Sequence, residues 1–358
     1  MDPRYSPLVW RKVIYDVLFQ RWKTRHLGPL ETIGGDVAGK TVMVTGPTSG
    51  IGKETAAELV RRGAKVLLAC RSVERGEALI KECAQKAATE GRAILTPEKA
   101  ATEGRAILTP EIFRMDLSSL QSVREMAERW EARKEPLHAL VCNAGIFSMG
   151  GGWSATRDGF ESHFGSNYLG HFLLTLLLLP SLNRAARGEH EHARVVMVSS
   201  MLHEFGKIHF DDLQLKKGYT SLKAYGQSKL ADVMFGYQLE ERLQSDVPIH
   251  ILALHPGNVV TDVVRTLPGV IQWLYRLVMR GILLTPSEGA RTTMHCTTSG
   301  DFDGPEGAKK AGHYWESDCF NAPTARRSYD RDTARRLWDV SLELVGLPKE
   351  FSADGLLK

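Results

Sequence analysis

The stretch KTVMVTGPTSGIGKETAAELVRRGAKVLLACR, Lys40–Arg71, decides the fold. It opens with a short apolar run, Lys40–Thr45, that stops at a glycine. Glycines follow at 46, 50 and 52, and a helical pattern then runs through Arg61. A second apolar run, Ala64–Cys70, comes next. Both runs are continuously apolar rather than alternating, as expected of strands covered on both faces. In Thr45-Gly46-Pro47-Thr48-Ser49-Gly50-Ile51-Gly52, Gly46 permits a tight turn and Gly50 lets the backbone approach a pyrophosphate. Gly52 allows the helix to pack closely. The helix N-terminus, where Ser49 and Ile51 stand, then faces the phosphates. A lone glycine pattern is weak, but this one sits between the strand and the helix it requires.

The same alternation continues outward. Ile112–Asp116, Leu137–Cys142, Arg194–Ser199 and Pro248–Leu254 read as further buried strands, with helical stretches such as Leu120–Arg133 between them. The expected fold class is α/β: a single domain with a Rossmann-type, doubly wound parallel sheet over residues 39–325. A basic arm (1–38) precedes it and a helical extension (326–358) follows. Phe172–Leu182 is apolar but short and holds Pro180, so it reads as a buried core helix; no apolar run reaches the roughly 18 residues of a membrane span.

One feature interrupts the pattern. KAATEGRAILTPE stands at Lys86–Glu98 and again at Lys99–Glu111. Two copies are too few for a solenoid. The block 86–111 falls at a helix-to-strand connection, where doubling a loop costs only about 0.6 kcal/mol. It reads as a neutral duplication, ahead of a gene-model artefact or a selected function. The second copy runs into the strand; the first is the extra one, looped or extending the helix.

Composition narrows the function. With 358 residues, 43% hydrophobic and 25% charged, nothing favours disorder. Arg4, Arg11, Lys12, Arg21, Lys23 and Arg25, against Asp2 and Asp16, account for the whole net charge of +4. The body is near neutral, and no basic face for nucleic acid is expected. Cysteines 70, 83, 142, 296 and 319 are odd in number and show no CxxC pair, which argues for reduced thiols in an intracellular, reducing compartment. Glu189-His190-Glu191-His192 reads as a solvated loop, and no metal is expected. The N-terminus lacks the apolar core of a secretory signal.

Two further motifs point to chemistry. The second strand ends Cys70-Arg71. A cofactor ribose with a free 2′-hydroxyl usually meets an acid there; Cys70 is a poor acceptor, and Arg71 can pair with a 2′-phosphate, so NADP is expected over NAD. In Tyr225-Gly226-Gln227-Ser228-Lys229, Tyr and Lys share a helix face four residues apart. A free tyrosine ionises near pH 10 and needs roughly 3 units, about 4 kcal/mol, to work at neutral pH. One positive charge at about 4 Å and an effective dielectric near 20 is worth about that much.

Together these motifs resemble the short-chain dehydrogenase/reductase family over about Gly39–Ala325. The likeness extends to Asn143-Ala144-Gly145, Asn167 in NYLGHF, Ser199-Ser200 and His255-Pro256-Gly257-Asn258-Val259-Val260-Thr261. LVCNAGIFS, DGFE, AYGQSKL and LHPGNVV resemble the branch of retinol dehydrogenases and WW-domain oxidoreductases; no WW-like module is seen, so peptide binding is not implied. The resemblance implies Tyr225 as general acid/base, Ser200 holding the substrate oxygen, Lys229 assisting Tyr225 and holding the nicotinamide ribose, and Asn167 anchoring a water relay. It implies cofactor contacts at Thr45, Gly46, Ser49, Gly50, Ile51, Gly52, Arg71, Asp116, Leu117, Asn143, Ala144, Gly145, Pro256, Gly257, Val259 and Thr261. Ser200 and Tyr225 are 25 residues apart, a longer loop than in many members but similar to that branch. Met201–Ser221 is expected to shape the pocket mouth.

Val263–Gly281 is apolar on one approximate helical face, which suits either a lid over a lipophilic carbonyl or alcohol (retinoid, steroid or fatty aldehyde) or plain core packing. In the arm, Val9, Trp10, Val13, Ile14, Val17 and Leu18 recur at helical spacing among basic residues. Such a helix could lie on a membrane surface or dock on the body or on the partner of a homodimer; the chain is expected to be cytoplasmic or peripheral on a membrane. The competing reading is a dinucleotide-binding sensor or scaffold with little turnover, with a pigment-binding photoreductase more remote.

Overall fold

The computed structural model describes residues 7–91, 94–95, 107–148, 150–187, 192–243, 248–259, 281–303, 307, 310 and 314–348. In chain order, the helices are α1 (Pro7–Lys23), α2 (Gly50–Arg61), α3 (Val73–Thr89), α4 (Leu120–Glu131), α5 (Gly170–Ala186), α6 (Ser221–Arg242), α7 (Pro286–Thr298) and α8 (Arg331–Leu344). The strands are β1 (Thr41–Thr45), β2 (Lys65–Cys70), β3 (Ile94–Leu95), β4 (Ile107–Leu108), β5 (Glu111–Arg114), β6 (Ala139–Cys142), β7 (Ala193–Val198), β8 (Ile249–Leu254), β9 (Tyr314–Trp315) and β10 (Asn321–Ala322).

The main sheet has the order β10-β9-β8-β7-β6-β1-β2-β5. Every neighbouring pair from β9 to β5 is parallel; β10 returns antiparallel on β9. The chain builds outward from β1 in one direction, then restarts at β6 on its other side. Such a switch point leaves a crevice at the carboxyl ends of the strands. The register Val44↔Leu68 and Val44↔Val141 brings Thr45 and Asn143 to the same edge of that crevice.

Alternation along the strands divides the core between two faces. Met43, Leu67, Leu140, Val195 and Ile251 pack with α4, α5, α6 and α8. Val42, Val44, Leu68, Val141 and Leu252 pack with α2, α3 and α7. Because both faces are covered, the strands read in sequence as unbroken apolar runs. The predicted strands match the observed ones to within two residues or so at their ends.

Two sequence expectations change in detail, and three elements, α7, β9 and β10, were not anticipated. The apolar core helix is longer than Phe172–Leu182. With the turn that precedes α5 it runs over Phe164–Ala186, 23 residues and apolar enough to cross a membrane, but 83% of its apolar window is buried within the fold. It is the interior helix of this sheet. The C-terminal extension is also part of the core: Trp338 of α8 packs on Phe172 and Phe235, with ring centroids 5.3 and 5.8 Å away. Of those three elements, α7 carried a signal that went unread, a capping box of Thr285 and Glu288 with Pro286 in its first turn, whereas the two-residue strands β9 and β10 carry no periodicity.

The duplicated block falls partly outside the described residues, as do Glu189–Glu191, residues 260–280 and 349–358. Where it is described, Lys86–Thr89 of the first copy extend α3. Ile94 and Leu95 then pair in parallel with Ile107 and Leu108, their counterparts thirteen residues on. Two segments in parallel register satisfy each other's backbone groups. Deleting Lys86–Glu98 gives the same polypeptide as deleting Lys99–Glu111, so α3 and β5 both keep their native residues. The expected melting midpoint lies within about 3 °C of the parent, as an effect below about 1 kcal/mol implies; a much larger drop in a thermal melt would show that the second copy supports the sheet.

Candidate active site

The Thr45 side chain ties the crevice together. Its Oγ1 accepts the backbone N–H groups of Asn143 and Ala144 at 3.0 and 2.9 Å. The Asn143 side chain returns a bond from Nδ2 to Thr45 O at 2.9 Å. The loops after β1 and β6 are thereby fixed to each other. The glycines behave as the spacing predicts: Gly46 and Gly50 have φ of +64° and +55°. A Cβ on Gly52 would stand 2.3 Å from Asn143 Nδ2 and 2.4 Å from Gly46 O. The helix α2 begins after Ser49 with no side-chain cap and no acid in its first turn. Its leading N–H groups and dipole are thus left for an external anion. The cradle, the open helix end and half-buried Ile51 fit a dinucleotide pyrophosphate.

The catalytic candidates converge on α6. Tyr225 and Lys229 share one face, with Lys229 Nζ 5.9 Å from the Tyr225 ring centre. Lys229 is 3% exposed. Its ammonium donates to Val198 O and to Asp232 Oδ2, both at 2.9 Å. A Cβ on Gly145 would stand 3.6 Å from Asn167 Oδ1 and 3.8 Å from Lys229 Nζ, so these three positions border one space. Asn167 lies in a π-helical turn, Phe164–Leu169, at the head of α5; such turns recur at functional sites. Its Oδ1 accepts Ile146 N–H at 2.8 Å, and its Nδ2 donates to Ile146 O and Ser228 Oγ. Ser200 follows β7, and its Oγ accepts Leu202 N–H at 3.2 Å. Phe147 lies against Tyr225 at 4.5 Å between ring centres, with His163 edge-on at 6.1 Å.

The two ends of the crevice are also populated. Beside β2, Cys70 donates its thiol to Ser72 O and Arg71 is exposed. Asp116 accepts from Ser118 N and Oγ, and Leu117 beside it packs under Gly170. At the other end Pro256, Gly257 and Val259 are buried after β8; Thr261 lies outside the described residues, as does most of Val263–Gly281.

The short chain dehydrogenase family model matches residues 40–100 and 87–269. This chain is a short-chain dehydrogenase. The two matches overlap within the duplicated block, as expected if the family pattern has room for only one copy. Retinol dehydrogenase 12 of Mus musculus is 42% identical over 323 residues, covering 90% of this chain and 92% of that protein. Retinol dehydrogenase 11 of Homo sapiens is 40% identical, covering 87% of both. The family member FEY of Arabidopsis thaliana is 34% identical, covering 95% and 87%. Among solved structures, an uncharacterized protein from Mycobacterium paratuberculosis superposes with a TM-score of 0.66 at 30% identity, covering 90% of this chain and 99% of its own. A protein described as an NAD(P)-dependent gluconate 5-dehydrogenase from Beutenbergia cavernae, solved with bound NADP, shares the fold at a TM-score of 0.55 and 23% identity, covering 81% and 98%. The dehydrogenase is an oxidoreductase with retinol dehydrogenase-like relatives.

Several residues of the site escaped the sequence reading. Asp232 is 2% exposed. Burial pushes its carboxyl up to about 6, with Lys229 pulling back only in part. Burial works against the Lys229 ammonium, but Asp232 and Tyr225 outweigh it and the net direction is upward. His171 donates from Nδ1 to Asn167 O at 2.7 Å and so accepts the Thr45 hydroxyl at Nε2, 2.9 Å away. Burial pushes this imidazole down to about 4, which keeps it neutral. Spacing offered a signal for both: Asp232 is three residues from Lys229 and seven from Tyr225, and His171 is four from Asn167. Arg75, whose guanidinium donates to Thr48 O at 3.0 Å across the glycine loop, stands four residues after Arg71, but Arg71 precedes α3 and the two share no helix face.

Above pH about 6 the Asp232 carboxylate offsets the Lys229 charge. The same carboxylate raises the pKa of the ammonium it holds. Asp232→Asn is therefore expected to move the titration of Lys229, followed by NMR of its side chain, toward lower pH. A titration that stays put would show that Asp232 does not hold the ammonium in its charged form.

Proposed function

We propose that this dehydrogenase is an NADP(H)-dependent alcohol dehydrogenase or carbonyl reductase acting on a lipophilic carbonyl or alcohol of the retinoid, steroid or fatty-aldehyde type. The observation that carries this reading is the Tyr225–Lys229 face of α6, bordered by Gly145, Asn167 and the apolar ring of Phe147. The cofactor, when bound, supplies or accepts the hydride. The Tyr225 hydroxyl gives a proton to the substrate oxygen in reduction and takes it back in oxidation. Ser200 Oγ already accepts Leu202 N–H, which leaves its own O–H to donate to the same oxygen. Two of the three Lys229 donors are committed to Val198 O and Asp232, and the third is left for the ribose. Asn167, locked on both sides of its carboxamide, anchors the proton path to solvent. Asn143, Ala144 and Gly145 line the cofactor, Val259 and Thr261 hold its carboxamide, and Asp116 with Leu117 meets its adenine.

The preference for a 2′-phosphate is supported by the charges at the end of β2. No carboxylate replaces Cys70, Arg71 is exposed, and Arg75 is held over the loop that cradles the phosphates. The substrate class is supported by the names of the retinol dehydrogenase relatives and by the apolar Val263–Gly281 sequence.

NADPH consumption against retinoid, steroid and aliphatic carbonyls is the test, with NADH in parallel. Tyr225→Phe is expected to lower kcat by about 10²–10⁴. Arg71→Ala with Arg75→Ala is expected to raise the KM for NADPH on the order of tenfold or more and leave that for NADH unchanged, as loss of charge-assisted bonds implies. NADPH binding with no turnover on any carbonyl would replace this reading with a dinucleotide sensor or scaffold.

A peripheral membrane contact is part of the same proposal. The helix α1 docks on the body through Gln20 and Arg21, which bond the backbone of Asn258, Ile282 and Leu283, with Asp16 buried beside them. Its large apolar residues point the other way: Ile14, Tyr15, Leu18, Phe19 and Trp22 are 46–56% exposed. Arg25 stacks over Trp22 and Lys23 over Tyr15. Aromatic and basic side chains on one outward face suit an anionic lipid surface. Leu18→Glu with Phe19→Glu is expected to abolish sedimentation with phosphatidylserine vesicles without changing the melting midpoint. Undiminished sedimentation would refute lipid contact, and a dimer in size exclusion that the double variant dissolves would assign the face to a second copy.

A further inference from the structure

The polar face of α1 does more than attach the arm. Gln20 is 2% exposed and reaches a segment 238 residues away in sequence. Its Oε1 accepts Asn258 N–H at 2.8 Å. Its Nε2 donates to Asn258 O at 3.1 Å and to Ile282 O at 3.0 Å. One acceptor and two donors meet one N–H and two carbonyls, so the orientation of the carboxamide is unique. Asn258 O also accepts Leu284 N–H at 3.0 Å, beside a parallel bridge of Val259 with Leu284. Gly257, just before, has φ +89°, and a Cβ there would meet Leu284 Cδ1 at 2.6 Å and stand 3.4 Å from Gln20 Oε1. The next residue of the arm, Arg21, donates to Leu283 O at 2.7 Å and pairs with Glu288. Farther along α1, Lys12 pairs with Glu204 and Trp10 packs on Phe205, on the loop that follows Ser200.

We propose that α1 is a clasp on the loop after β8 and that Gln20 is its positioning residue, holding the Asn258 backbone so that Val259 is presented to the nicotinamide end of the cofactor. This inference rests on the cofactor reading above. Gly257 has left-handed backbone, and Asn258 and Ile282 are half-buried beside the buried carboxamide. Without the carboxamide, one N–H and one carbonyl lose a buried partner, and the conformations open to Gly257 multiply. Gln20 touches neither substrate nor cofactor; it acts through Asn258 and Val259.

The test separates the two ends of the cofactor. The full chain and its Gln20→Met variant, similar in length and volume but without hydrogen bonds, are titrated with NADPH and with 2′,5′-ADP, which carries the phosphorylated adenosine but no nicotinamide. Weaker NADPH binding, on the order of tenfold or more, with 2′,5′-ADP unchanged is expected, since each lost bond is worth roughly a factor of two to ten. Equal NADPH affinity in variant and parent would overturn the clasp, and so would a parallel loss of both ligands, which marks a general loss of structure. Gln20→Glu, which keeps the acceptor and loses both donors, is expected to show the same selective loss and serves if the Met variant does not fold. If the parent binds neither ligand, the cofactor reading falls and this inference falls with it.

Discussion

The hydroxyl of Thr45 is the point on which the rest of the site depends. It stands at the end of β1, where the sheet reverses its order of construction, and it bonds groups from two other elements at once. The Asn143 and Ala144 N–H groups come from the loop after β6, and His171 comes from α5. His171 in turn holds the carbonyl of Asn167. A buried polar network in which each member is satisfied is rigid, because every broken bond strands a partner away from water. Here that rigidity sets the distance between the glycine cradle and the helix that carries Asn167. The neutral state of His171, enforced by burial, is part of the same arrangement, since its two nitrogens must serve as one donor and one acceptor.

Around this knot the electrostatics are sparing. One buried ammonium, Lys229, lies beside Tyr225, and one buried carboxylate, Asp232, holds it. The pair lies on one helix at three residues' spacing, so its geometry is fixed by α6 itself rather than by a flexible loop. Desolvation raises the cost of each charge alone, and each makes the other tolerable. The carboxylate also limits how much of the lysine's field reaches the phenol. Asp232 thus sets the strength of the field as well as holding the ammonium in place.

The arm shows how far a sequence pattern can mislead about orientation. Its apolar residues recur at helical spacing, and such a face ordinarily packs inward. The structure splits that face: Asp16 and Gln20 go inward with half-buried Val13 and Val17 and Trp10 packs on Phe205, while Ile14, Tyr15, Leu18, Phe19 and Trp22 face out. The inward side is polar because it meets loop backbone, whose N–H and carbonyl groups need partners, and not the apolar surface of a sheet. One helix therefore joins the loop after β8 to an outward aromatic and basic face.

The sequence by itself determined the sheet, the strand ends that carry chemistry and the Tyr225–Lys229 face, because each is a local pattern: a buried run, a glycine turn, a helical spacing. It also located the duplicated block at a connection the fold could extend. Asp232 and His171 were legible in the same way, at spacings of three and four from residues already singled out. The Gln20–Asn258 contact, the Arg75–Thr48 contact, the short strands β9 and β10 and which residues of α1 face inward were decided only by tertiary structure. They join residues far apart in the chain or elements too short to show a period, and hydrogen-bond partnership between distant segments leaves no trace in the spacing of either one.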